Sequence, residues 1–298
     1  MRALKRDEKV HDAIQLVVQK RTRSSVALLS GRKGSGLTDE AIHDLRKKVK
    51  MLRSLLRLVR ADMGDRRYQR ANRCLREANL PLADVRDTKV VLSSCDRLTD
   101  RCDSLDTARM HLHERLAKRL EKARARVAAS LSTRGTITGK LRTAERLVTD
   151  WHASQGSWKS VSHGLRSMYA NGRATLRKAA ADKSDANLHG LRKRAKDLLY
   201  TCEFLRQASP RTRSLSADLK RFTDLLGEHR DLAMVQHALT AGRRAHEDSL
   251  CRQLIKLAAR EQASLCNRAW KIGVRIYDEP AAAFVSRVHR DWKAWRSN

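Results

Sequence analysis

The strongest constraint on this chain is a nine-residue pattern that it carries twice. Ile42-His-Asp-Leu-Arg-Lys-Lys-Val-Lys50 and Leu188-His-Gly-Leu-Arg-Lys-Arg-Ala-Lys196 share the order His-x-x-Arg-Lys-x-x-Lys. His43 pairs with His189, Arg46 with Arg192, Lys47 with Lys193 and Lys50 with Lys196, and each pair is 146 residues apart. Steps of three, four and seven put side chains on one side of a helix. Leu45, Val49, Leu52, Leu56 and Val59 then form an apolar stripe, the mark of a helix facing a core. His43, Arg46, Lys47, Lys50, Arg53 and Arg57 form a basic stripe opposite it. In the second copy Leu191, Ala195, Leu198, Cys202 and Leu205 oppose His189, Arg192, Lys193 and Lys196. A charged stripe is ordinarily just the solvated face of an amphipathic helix. Here acidic partners at i±4, which usually decorate such a face, are nearly absent from the first stripe. Stacked like charges repel, and an anionic ligand is a reason to tolerate them.

A second pair of motifs follows in the same order. Ala83-Asp-Val-Arg-Asp-Thr-Lys-Val-Val91 resembles Gly227-Glu-His-Arg-Asp-Leu-Ala-Met-Val235, and Arg86-Asp87 lies 144 residues before Arg230-Asp231. Two motifs at nearly one offset indicate an internal duplication. The fold expected is all-α, with two pseudo-symmetric four-helix bundles. Ser132-Thr-Arg-Gly-Thr-Ile-Thr-Gly139 is the best linker between the halves, 1–132 and 133–298. Within the first half the expected helices cover about 2–29, a motif helix capped by Thr38 and ending near Asp62-Met-Gly64, about 66–78, a helix opened by Pro81, and 104–132. Ser30 to Gly36 is a flexible connector that matches no phosphate-loop pattern. In the second half, helices are expected at about 140–152, 158–181, 186–207 and 212–225. Gly227 then acts as punctuation, followed by 228–241, 245–272 and a last helix, 279–296, with Trp292 and Trp295 packing on the fold.

Composition narrows the partner. The chain has 298 residues and a formal net charge of +31, which calls for a polyanion or an anionic surface. Aromatic residues make up only 4%, few for stacking on bases. Cys74, Cys95, Cys102, Cys202, Cys251 and Cys266 form no Cys-x-x-Cys and read as reduced thiols. His111 and His113 point apart on a helix, and no His-Glu-x-x-His or nucleophile elbow is present. No metal, cofactor or enzymatic activity is therefore expected. The first residues lack the apolar run of a signal peptide, and no apolar stretch of 18 residues exists, so a soluble intracellular protein is expected.

His-x-x-Arg-Lys-x-x-Lys on a long helix, then Arg-Asp on a later one, all of it twice, resembles the CHAD family, the conserved histidine α-helical domain. The resemblance covers roughly residues 5–275. It implies two four-helix bundles with a basic groove or pore between them, binding of inorganic polyphosphate, and association with polyphosphate granules. Carried over by motif, the ligand positions are His43, Arg46, Lys47, Lys50, Arg53 and Arg57, then His189, Arg192, Lys193 and Lys196. Arg86 and Arg230 join them, with Asp87 and Asp231 orienting these two arginines. Leu165-Arg-Ser-Met-Tyr-Ala-Asn-Gly-Arg173 resembles the family's preceding helix and adds Arg166, Tyr169 and Arg173, with Arg21 as the first-repeat counterpart. Leu199 and Glu203 stand where the first repeat has Arg53 and Arg57, so the far end of the second stripe is less basic. The expected function is non-catalytic polyphosphate binding. The alternatives are a nucleic-acid-binding helical protein and a granule-associated adaptor.

Overall fold

The computed structural model describes residues 2–30, 37–101, 106–128, 131–153, 157–240 and 249–297. Among them there are twelve α-helices and no strand. The first half runs α1 (Val10–Leu29), α2 (Asp39–Leu58), α3 (Arg60–Met63), α4 (Asp65–Asn79), α5 (Ala83–Thr99), α6 (Asp106–Ala128) and α7 (Leu131–Thr149). The second runs α8 (Ser157–Ala181), α9 (Asp185–Phe204), α10 (Pro210–Thr240), α11 (Ser249–Ile276) and α12 (Ala281–Ser297). The motif helices α2 and α9 are both 20 residues long.

The apolar stripe of α2 is buried as its spacing requires: Leu45, Leu52, Leu56 and Val59 are each at most 1% exposed. Burying such a side chain stabilises by about 1.5–3 kcal/mol. Thr38 caps α2 as expected, its hydroxyl oxygen accepting from the Ala41 N–H at 3.2 Å. Helices α1, α2, α4 and α7 pack on one another, and α8, α9, α10 and α11 do the same, with α12 against α8. The halves meet where α2 lies on α8 and α9, and where α5 lies on α10 and α11. Ser54 Oγ donates to the Asp197 carbonyl across the α2–α9 contact.

Three local expectations are corrected. Residues 2–9 are not helical; the Leu4 N–H donates to the Phe204 carbonyl at 2.9 Å, and Leu4 is fully buried. The segment from Ser132 to Gly139 is no open linker but the first turns of α7. Ile137, Leu141, Ala144 and Val148 are all buried, so the helical stripe begins inside that segment and its burial outweighs two glycines. Helix α7, assigned by sequence to the second half, packs on α4 and α1. Finally, α10 runs unbroken through Gly227. The connector from Gly31 to Gly36 lies outside the described residues.

Candidate functional site

Four helices converge on the basic motifs: α2 and α5 from the first half, α9 and α10 from the second. Arg46 is half-buried; its guanidinium lies 4.0 Å from Asp87 and donates to the Asn79 carbonyl at 3.4 Å. Burial lowers its pKa, and Arg86 and Arg230 push the same way against Asp87. Arg192 occupies the matching place in the second half. Its Nε donates to the Thr223 carbonyl at 3.2 Å, and its pKa too is lowered, first by burial and then by Arg230.

Lys50 shows the crowding best. Much of the residue stays open to solvent, yet protein atoms packed around it and the charges of Arg46, Arg192 and Arg86 bring its ammonium down to about 8. His189 is brought down to about 4 by burial, then by Arg230, Lys193, Arg192 and Lys50. His43 is lowered by burial, Arg86, Lys47 and Lys50. The cations of the two halves thus act on each other: Lys50 with Arg192 and His189, Arg46 with Arg230. They form one seam across the contact between halves. Lys47 and Lys193 are exposed on its rims. Lys196 is half-buried, its Nζ donating to Asp224 at 3.5 Å, and burial lowers it as well.

Other expected site residues lie elsewhere or are already engaged. Arg53 donates to Asn72 Oδ1 at 2.8 Å, and Arg57 pairs with Asp197 at 2.8 Å, so Arg57 ties α2 to α9. Tyr169 is a core residue and is corrected as a ligand. It is fully buried, stacks on Phe284 and donates to the Ile276 carbonyl at 2.9 Å. Arg173 donates to the Tyr277 carbonyl at 3.2 Å, while Arg166 is exposed on α8 and Arg21 is half-buried on α1. None of these three is among the largest charges acting on the seam residues. Asp87 and Asp231 also differ from expectation. Asp87 acts on Arg46 and Asp231 on Arg192 of the motif helices, and Arg192 acts on Asp231 more than its chain neighbour Arg230 does. Arg124, off the basic stripe, forks the Asp39 carboxylate with contacts of 2.5 and 3.1 Å.

Sequence reasoning missed one contributor, Gly227. A Cβ built there would lie 3.0 Å from Arg192 Nη2 and 3.2 Å from its Nε. The missing side chain is the space in which the Arg192 guanidinium lies along α10. A glycine inside a helical pattern read as punctuation, whereas its role is close approach.

Among the described residues no group of three or more His, Cys, Asp or Glu could hold a metal ion, and no helix is long and apolar enough to cross a membrane. What the seam can do chemically is hold an extended anion through fixed cations and N–H donors.

A family model described as the CHAD domain matches residues 20–240. Among solved structures, the crystal structure of the CHAD domain from the plant Ricinus communis is similar over 97% of this chain and 94% of its own, with a TM-score of 0.56. At 21% identity that likeness speaks to the fold. None of the curated proteins matches the chain.

Proposed function

This chain belongs to the CHAD domain family, and on that premise we propose that its seam binds inorganic polyphosphate without cutting or extending it. The observation that carries the reading is the convergence of cations from both halves on Lys50, Arg46, Arg192 and His189, crowded enough to lower every one of them. A ligand with about one negative charge per phosphate relieves that crowding along its whole length. Nucleic acid is the weaker candidate because its bases need platforms. Several of the aromatic rings pack on each other: Trp158 on His289 and Trp292, Tyr169 on Phe284 and Tyr277. A protein that holds polyphosphate in this way would collect at polyphosphate granules.

The test is a competition at physiological salt between labelled long-chain polyphosphate and DNA or RNA. Charge reversal of Arg46 with Lys50, or of Arg192 with Lys196, is expected to weaken polyphosphate binding more than tenfold, about 1.4 kcal/mol or more. Reversal of Arg260 with Arg268, exposed on α11, should leave it nearly unchanged. Equal losses in all three double variants would mean a whole-surface charge effect, and preferential displacement by DNA or RNA would favour the nucleic-acid reading.

A further inference from the structure

A cavity of about 400 Å³ opens beside the seam, between α5, α6, α9 and α10. That size suits a small organic ligand, for which pockets run about 300–1,000 Å³. Val91, Leu116, Leu188 and Met234 supply aliphatic wall, and Asp87 and Asp185 supply carboxylates. His189 and Arg230 belong both to this wall and to the seam. His189 Nδ1 is buried and has no hydrogen-bond partner among the described residues, although a buried polar atom ordinarily has one.

Bare phosphate does not fit such a wall. It has no apolar surface to bury, and the carboxylates of Asp84, Asp87 and Asp185 outnumber the guanidinium groups of Arg119 and Arg230 in the lining. The arrangement suits a two-ended molecule. One end is flat, uncharged and largely apolar, with N–H donors for the carboxylates; the other is a chain of phosphates reaching Arg230. We propose that the cavity takes the base of a nucleoside triphosphate whose phosphates run past Arg230 into the seam. The base sits between aliphatic side chains rather than on an aromatic platform. His189, which lines the cavity where it meets the seam, stands beside the sugar at the junction. This inference rests on the seam being a phosphate site, and adds a second ligand class at its end.

The test compares ATP and GTP with inorganic tripolyphosphate, which has the same number of phosphates and no base, by calorimetry on the full chain at physiological salt. At least one nucleotide is expected to bind ten or more times tighter than tripolyphosphate. Ala233→Phe, which fills the cavity from α10, should bring that nucleotide down to the tripolyphosphate level and leave tripolyphosphate unchanged. Tripolyphosphate binding with no gain for either nucleotide overturns this inference and leaves the seam reading intact. Failure of all three ligands overturns this inference, and failure of long-chain polyphosphate beside them overturns the seam reading as well. A nucleotide preference that survives in folded Ala233→Phe also overturns the cavity assignment. Should that variant not fold, the comparison on the unaltered protein decides.

Discussion

Gly227→Ala separates the stability of this fold from its binding. Alanine inside a helix is favoured over glycine by about 0.8–1.0 kcal/mol, and α10 is continuous at this position. Against that gain, the new methyl would lie 3.0 Å from Arg192 Nη2 and 3.2 Å from Nε, so the guanidinium must move aside. Moving it strains or breaks the hydrogen bond to the Thr223 carbonyl, a loss of about 0.5–1.5 kcal/mol. The two effects nearly cancel, leaving the folded state within about 1 kcal/mol of the original, which corresponds to roughly 2–4 °C or less in melting temperature. Binding has no such compensation. Arg192 pushed aside by a few tenths of an ångström weakens its charge-assisted hydrogen bond to phosphate, and the whole of that bond, about 1.5–3 kcal/mol or roughly ten- to a hundredfold in affinity, is the upper bound on the loss. Melting scans alongside titrations with a short polyphosphate, with Arg192→Ala as the reference for total loss, measure both quantities. A Gly227→Ala protein that binds like the original refutes the reasoning, because Arg192 would then not need the space along α10.

The other expectations concern the rest of the seam. Arg57→Leu leaves Asp197 with only the looser 4.0 Å contact to Arg194 of its own helix; urea unfolding should show a loss of up to about 3 kcal/mol, largely restored by adding Asp197→Asn. The Lys50 contribution to affinity for long-chain polyphosphate should be complete well below pH 8 and fall as pH rises through it. Lys50 has a free-site pKa of about 8 that a bound anion raises, so the complex must take up a proton there; Lys50→Arg should flatten the fall. On acidification from pH 7 toward 4, affinity should rise as His43 and His189 gain protons in the complex, and His189→Gln should remove part of that rise. Finally, replacing Arg46 and Lys50 by neutral residues should reduce the slope of log affinity against log salt by about two, one for each lost phosphate contact.

What was legible in the sequence was whatever a helical period encodes. The stripe from Leu45 to Val59 located the core face of α2, and Thr38 located its start. The linker expectation failed at residues 132–139 because glycine and threonine were weighed above Ile137, which stands in register with Leu141, Ala144 and Val148. The basic residues of α2 and α9 were readable from the repeated motif, but their meeting across the contact between halves was not. That Arg230 presses on Arg46, and Lys50 on His189, follows only from how α2, α5, α9 and α10 pack. Tyr169 was misplaced for the same reason: a motif fixes where a residue lies along a helix, and the tertiary fold decides whether it meets solvent or Phe284. Gly227 carried a signal, but glycine marks either a turn or a close approach, and only Arg192 lying beside it distinguishes the two.

The lowered pKa of Lys50 makes folding and binding respond to alkali in opposite directions. In the unfolded chain this lysine would hold its proton to an ordinary value near 10.5, whereas in the empty fold it releases it near 8. Between those two values the unfolded state binds more protons at this residue, so the contribution of Lys50 favours the empty fold more as pH rises. The complex needs the same proton and weakens over the same range. The seam is therefore a place where the empty fold is under electrostatic tension, and that tension can be released either by losing a proton or by gaining an anion. Near neutral pH the proton remains, and the anion is the release that is left.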